Sequence, residues 1–165
     1  MQGLMKLADK VYPHVHTAAV SFGIQPGMTV VDYGCGPGRY TVEFARLAGT
    51  GGKVIAVDLV ELALQETRKR LASMDIGNVE FRLAQGYDTG IQEGVADMVF
   101  AIDMFHHIKE PAAFLKEAYR IAKPEGLLLL AGGHIPRAVA KARIGQSGLW
   151  DIAEERARFI TYKKA

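Results

Sequence analysis

Three glycines, Gly34, Gly36 and Gly38, fall within five positions directly after the apolar run 28–33, in the stretch VVDYGCGPGRY. Two carboxylates flank them, Asp32 two residues before Gly34 and Asp58 twenty residues after Gly38. Glycines at a strand end let the backbone turn sharply and approach a ligand closely, and a helix that starts there offers N–H groups to an anion. A bound nucleotide is the first chemistry this suggests. The dinucleotide fingerprint is G-x-G-x-x-G, however, and here the third glycine comes one place early and Arg39 takes its slot. No Gly-Lys-Ser/Thr follows, so a P-loop is excluded.

The acids narrow the ligand. Asp32 would repel a pyrophosphate and suits a ligand carrying an ammonium group, or else it simply caps the loop. Asp58 closes the run KVIAVD, where a carboxylate can accept from both hydroxyls of a ribose. Such charge-assisted bonds contribute roughly 1.5–3 kcal/mol each. A ribose, an amino group and no phosphate describe a nucleoside joined to an amino acid, which is S-adenosyl-L-methionine.

Histidines supply a second group of candidates. His106 and His107 follow the fourth apolar run and His134 follows the fifth, so all three project from one edge of a sheet built from these runs. They suit a general base, with an unperturbed pKa near 6.5, or a metal holding a catechol-like or anionic acceptor, or helix capping or simple packing at the rim. Two adjacent histidines without a carboxylate are poor ligand spacing, and no metal is expected. His14 and His16 could close over the same edge. Cys35 reads as a small filler in the turn, because a lone cysteine with no fixed histidine partner is a poor nucleophile.

The elements that must position these residues alternate. Short aliphatic runs at 28–33, 53–58, 78–83, 97–102 and 126–131 read as strands, most of them entered through Pro or Gly. Helical patterns lie between them. Over 111–122, Phe114, Leu115, Ala118, Ile121 and Ala122 share one face. Over 60–74, Val60, Leu64, Thr67, Leu71 and Met74 form a stripe, with Arg68, Lys69 and Arg70 opposite on a solvated face. A helix from about 39 to 48 follows the glycine loop, and another is expected over 136–145. Apolar runs without strict alternation describe a parallel sheet covered on both faces, hence an α/β doubly wound fold. The closing LWDIAEERARFITYKK reads as two strands with almost nothing between them, which permits only an antiparallel hairpin.

Composition agrees. The chain has 165 residues, 49% apolar and 23% charged, with a net charge of +2. That is the balance of one globular domain spanning 1–165, with a helical preface over 1–25 and a cofactor-binding core over 26–165. No apolar run approaches the ~20 residues that cross a bilayer, and the N-terminus lacks the pattern of a signal peptide. The single Cys35 points to a reducing cytoplasm.

Taken together, the stretches GIQPGMTVVDYGCGPGRYT, KVIAVD, NVEFRLAQG, ADMVFAIDMFHHIKEP and AKPEGLLLL and the closing hairpin resemble the class I S-adenosylmethionine-dependent methyltransferases of the small, single-domain type. The resemblance runs from about Gly23 to the C-terminus. It implies a Rossmann-like seven-stranded sheet of order 3-2-1-4-5-7-6, with strand 7 antiparallel and helices on both faces. It also implies that Gly34, Gly36 and Gly38, with Tyr33 and Asp32, wrap the methionine part of the donor, that Asp58 holds the ribose and that Leu59 packs on adenine. Many relatives place an Asp after the third strand; here Gln85 stands there, so adenine recognition would fall to Gln85 and Gly86. Asp103 is where the family meets the methionine end, and the product would be S-adenosyl-L-homocysteine.

The acceptor is less marked. The Asp/Asn-Pro-Pro-Tyr/Phe stretch of adenine and glutamine N-methyltransferases is absent, since Asp103-Met104-Phe105-His106 stands there, and no Pro-Cys nucleophile of the DNA cytosine enzymes exists. A small molecule is the expected acceptor, with Phe105, Tyr12 and Trp150 as candidate lining, although Trp150 also suits the core of the hairpin. The competing classes are a nicotinamide-dependent oxidoreductase, a non-catalytic partner subunit with the same fold, and an RNA methyltransferase using Arg156, Arg158, Lys163 and Lys164. Nucleic acid and membrane are not expected partners, whereas a homodimer fits an open active-site edge.

Overall fold

The computed structural model describes residues 13–165. In chain order these are α1 (Pro13–Ser21), β1 (Thr29–Tyr33), α2 (Arg39–Ala48), β2 (Lys53–Asp58), α3 (Glu61–Ala72), β3 (Val79–Leu83) and β4 (Ala96–Ile102). A 3-10 turn at Phe105–His107 precedes α4 (Pro111–Ile121), β5 (Ala122–Ala131), α5 (Arg137–Gly145), β6 (Trp150–Glu155) and β7 (Phe159–Lys164). The seven strands form one sheet in the order β3-β2-β1-β4-β5-β7-β6, the order the family resemblance implied. The chain divides into two compact units, one ending at Leu83 and one beginning at Ala84.

In the first unit β1, β2 and β3 run parallel, with Tyr33 opposite Val57 and Asp58 opposite Leu83. Val30, Val31, Val54, Ala56 and Val57 are wholly inaccessible, as expected of strands buried on both faces. Helix α2 lies between two left-handed glycines, Gly38 at φ 74° and Gly49 at φ 67°, and buries Thr41, Val42, Phe44, Ala45 and Ala48. Phe22 packs edge-on against Phe44 at 6.3 Å, so the helical preface expected up to about residue 25 is present where it is described.

The stripe read over 60–74 is shortened at both ends, since the helix closes at Ala72 and Met74 lies beyond it, half-buried in a turn. Leu64, Thr67 and Leu71 are buried, but Val60 is 55% exposed. The helix starts at Glu61, and Val60 is an extended N-cap residue (φ −112°, ψ 111°) whose side chain is not on the helical face.

In the second unit β4 and β5 are parallel, β7 is antiparallel to β5, and β6 pairs antiparallel with β7 as the outer strand. Pro111 opens α4, its fixed φ suited to the first helical turn, and Phe114, Leu115, Ala118 and Ile121 are wholly buried. Strand β5 begins at Ala122, four residues before the run that announced it. Trp150 is 3% exposed and donates from its indole nitrogen to Leu115 O at 3.1 Å, so it belongs to the hairpin core and not to an acceptor pocket.

Candidate functional site

The glycine loop is held from two sides within the first unit, by β2 and by α3. Gly34 N and Cys35 N both donate to Val57 O, at 2.8 and 3.0 Å, which carries the β1–β2 ladder into the turn. Gly36 N donates to Asp58 Oδ2 at 2.9 Å, and Gly36 O accepts from the Thr67 hydroxyl at 2.9 Å. Arg70 Nε reaches Pro37 O at 2.8 Å. Helix α3 therefore clamps the outer side of the loop that β2 holds from within.

Glycine is required at Gly38. Its φ is 74°, and a Cβ there would stand 2.5 Å from Thr67 Cγ2. At Gly36, with φ 52°, an added Cβ would meet nothing within 4 Å, so this backbone borders open space.

Asp58 is half-buried at the end of β2. Its second oxygen, Oδ1, accepts from Val60 N at 3.0 Å. Each carboxylate oxygen thus takes one backbone N–H and keeps a further lone pair for a ligand. Beside it Leu59 and Leu83 are 60% and 51% exposed, an apolar edge next to an acceptor carboxylate. Leu83 was not singled out from sequence; its place opposite Asp58 follows from strand register alone.

Asp32 is buried at 3% exposure, and its Oδ2 accepts from the Thr41 hydroxyl in the first turn of α2 at 2.6 Å. Burial pushes its carboxyl up to about 6, against the Thr41 hydrogen bond and with a further push from the Asp58 charge. Tyr33 is buried at 4%, so its backbone and not its ring borders the loop. Burial, followed by the charges of Asp32 and Asp58, pushes the Cys35 thiol up, which leaves it a protonated filler. A loop bordered by two carboxylates suits a cationic ligand and disfavours a pyrophosphate, and its spare acceptors suit a diol. The donor set therefore fits S-adenosyl-L-methionine.

Arg68, Lys69 and Arg70 behave as a helix surface. Arg68 pairs with Glu61 at 3.0 Å and Lys69 with Glu66 at 2.9 Å, while Arg70 bonds the loop. His16 is committed to Glu43 of α2 at 2.8 Å.

The second unit brings the other three histidines together. The rings of His106 and His107 are 3.8 Å apart between centroids, and His134 stands edge-on to His106 at 5.3 Å. Asp103 organises the group. It has a left-handed φ of 53°, and its Oδ1 accepts from Gly133 N at 2.8 Å, which fixes the turn that carries His134. A Cβ at Gly132 would collide with that carboxylate, so this turn too needs glycine. Desolvation lowers the His106 pKa first, with His107 and His134 adding to the effect and Asp103 opposing it. His106 Nδ1 is buried without a hydrogen-bond partner. Among the described residues no group of His, Cys, Asp and Glu has metal-binding geometry.

Gln85 and Gly86, also in this unit, form a tight turn in which Gln85 and Asp88 exchange backbone bonds of 2.9 and 3.1 Å, with Gly86 at φ 63°. Gln85 is exposed. Tyr12 lies outside the described residues. Phe105 is buried against Phe114 at 6.0 Å. Arg156 pairs with Glu154, and Lys164 bonds Ala122 O beneath the Tyr119 ring. Among the described residues no helix is long and apolar enough to cross a membrane.

A family model described as a methyltransferase domain matches residues 24–147, and the chain belongs to that family. Among curated relatives, the ubiquinone/menaquinone biosynthesis C-methyltransferase UbiE of Escherichia fergusonii is 32% identical over 109 residues, 66% of this chain and 43% of the relative. The E. coli proteins of the same name match over the same shares, so the chain spans less than half the length of these relatives. Among solved structures, a SAM-dependent methyltransferase from Aquifex aeolicus superposes with a TM-score of 0.79 at 22% identity, covering 98% of this chain and 95% of that one. An arsenic(III) S-adenosylmethionine methyltransferase from Chlamydomonas reinhardtii gives 0.66 at 22% identity, over 85% of this chain and 64% of that one. Both structural likenesses bear on the fold.

Proposed function

We propose that the protein is an S-adenosyl-L-methionine-dependent methyltransferase acting on a small-molecule acceptor. The observation that carries this is the locked loop, in which Gly36 is fixed by Asp58 and Thr67 while Asp58 keeps acceptor capacity at the end of β2. Asp58 would accept from the ribose hydroxyls, with Leu59 and Leu83 as apolar support for the base, and Gly34, Gly36 and Gly38 would admit the methionine end close to the backbone. Asp32 acts through Thr41, holding the first turn of α2 against the loop. Gln85, Gly86 and Asp103 complete the residues assigned to the donor.

The bound donor supplies a methyl carbon already activated by its sulfonium. What the chain must add is alignment of the acceptor, exclusion of water and, for an acceptor that carries a proton, a base. His106 suits that last task, because its lowered pKa leaves it neutral near pH 7, with His107 and His134 adjusting its basicity. A small acceptor is supported by the internal pairing of Arg156 and Lys164, which takes two of the four cations considered for RNA. The name of the Escherichia relative, a C-methyltransferase of quinone biosynthesis, points the same way.

Calorimetric titration with S-adenosyl-L-methionine, S-adenosyl-L-homocysteine and NAD tests the donor assignment. Saturable binding of the first two and none of NAD is expected; binding of NAD alone would overturn it.

A further inference from the structure

The sheet has two outer strands, β3 and β6, and their free edges differ. Strand β6 carries Asp151, Glu154 and Glu155 and no basic residue, and its pairing with β7 shifts register between Ile152 and Glu154. Like charges and an irregularity are ordinary means of keeping an edge single. Strand β3 has neither. Its five residues pair with β2 in unbroken register, and apolar Val79, Phe81 and Leu83 alternate with one acid, Glu80, and one base, Arg82.

The directions of the β3 backbone groups follow from one bond. Asn78 O accepts from Val54 N at 3.0 Å, so Asn78 faces β2. Successive residues of a strand turn their N–H and C=O groups to opposite sides, so Glu80 and Arg82 also face β2, while Val79, Phe81 and Leu83 face outward. Arg82 agrees with this direction: its Nη1 donates to Phe81 O at 3.1 Å and so fills an acceptor that a neighbouring strand would fill. Its Nη2 reaches Glu80 Oε2 at 3.3 Å.

The run Val79-Glu80-Phe81-Arg82-Leu83 is its own antiparallel complement. About a two-fold axis at Phe81, Phe81 lies opposite itself, Val79 opposite Leu83 and Glu80 opposite Arg82. The outward-facing Val79, Phe81 and Leu83 then fall in the pairs that exchange both backbone bonds, and Glu80 and Arg82 fall in the closer pairs between them, where opposite charges attract. The register is specified. A slip of two residues in either direction sets Glu80 against Glu80 or Arg82 against Arg82, and a slip of one presents backbone already bonded to β2.

We propose that β3 is the contact strand of a homodimer, in which a second copy of this chain pairs with it antiparallel about Phe81 and the two sheets join edge to edge. In that pairing Arg82 leaves Phe81 O and Glu80 of its own chain and meets the partner's Glu80, and the partner's Phe81 donates its N–H to the vacated carbonyl. Leu83, 51% exposed in the single chain, is covered by the partner's Val79. A lone strand pair is small against the ~1,200–2,000 Å² of stable interfaces, so a dissociation constant in the micromolar range is expected. The association needs neither donor nor acceptor and stands apart from the methyltransferase reading.

Sedimentation equilibrium of the 165-residue chain measures the association for the wild type, Glu80→Arg, Arg82→Glu and the double variant, with thermal melts to verify folding. The wild type should dimerise reversibly. Each single substitution sets like charges face to face at both ends of the pair and should weaken the dimer about tenfold or more, and the double variant, which exchanges the two charges, should recover it. Asp151→Lys on β6 should leave it unchanged. Amide hydrogen exchange of the wild type reads the strand direction without any substitution. The Val79, Phe81 and Leu83 amides should gain protection as the dimer forms, whereas those of Glu80 and Arg82, bonded to β2, should be protected at every concentration. A chain that stays monomeric into the millimolar range, a dimer indifferent to both charge reversals, or one in which the three outward amides exchange as freely as in the monomer would overturn the proposal.

Discussion

Gly36 and Asp58 are joined across 22 positions by a backbone N–H donated to a carboxylate oxygen at 2.9 Å, so the acid at the end of β2 shapes the loop that follows β1. Asp58→Ala should therefore damage ligand binding twice, by loss of an acceptor and by loosening the loop. Donor affinity should fall on the order of a hundredfold by calorimetry, given roughly 1.5–3 kcal/mol per charge-assisted bond. Asp58→Asn should be nearly as harmful, because an amide has one acceptor oxygen while Gly36 N and Val60 N each require one.

Gly38 and Thr67 should show strong coupling. Gly38→Ala forces a side chain into a left-handed backbone and against Thr67 Cγ2, at a cost of roughly 2–4 kcal/mol. Thr67→Ala removes the hydroxyl donated to Gly36 O and a buried methyl, at a cost of roughly 1–2 kcal/mol. Thr67→Ala combined with Gly38→Ala relieves the collision, so the double variant should be more stable than the sum of the singles by roughly 1–2 kcal/mol. Urea denaturation of the four proteins measures this, and simple additivity would contradict the clamp.

Asp32 should make stability depend on pH in a direction opposite to that of a salt-bridged acid. Its folded pKa of about 6 lies above the unfolded value of 3.8, so its favourable contribution is complete below about pH 4 and is lost as pH rises through 6. Asp32→Asn retains an oxygen for Thr41 and does not ionise. It should equal wild type near pH 4 and exceed it above pH 7, by roughly 3 kcal/mol as an order of magnitude. Denaturation midpoints at pH 4, 6 and 8 decide it; a wild type that gains on the variant as pH rises would refute the buried carboxyl.

His106 should control the acid limb of methyl transfer to an acceptor that carries a proton. His106→Gln should lower kcat by about 10²–10⁴ with donor binding unchanged. Because His107 depresses the His106 pKa, His107→Ala should raise it and move the acid limb to higher pH. A limb that moves down, or does not move, would remove His106 from the role of base.

The strands were legible because β-branched and aliphatic runs buried on both faces leave a continuous signal, as in KVIAVD, which matches β2 residue for residue, whereas their order came from the family resemblance. The start of β5 was not legible, since AKPE carries none of that composition and enters the sheet by pairing Ala122 with Ala96. The acids and glycines of the loop could be found from spacing, but Thr67 could not. Its hydroxyl bonds a carbonyl 31 residues away, and in sequence it is only one more position on a buried helical stripe. Likewise, three histidines after two strand ends signalled a shared edge, whereas the positive φ of Asp103 that brings His134 to His106 has no local signature.

The central claim is tested most directly by incubating the protein with methyl-labelled S-adenosyl-L-methionine and a panel of small acceptors and bulk RNA, with Asp58→Ala in parallel. Label is expected in a low-molecular-mass product, with S-adenosyl-L-homocysteine formed in equal amount and both lost in the variant. Label confined to RNA, or transfer that survives Asp58→Ala undiminished, would contradict the account.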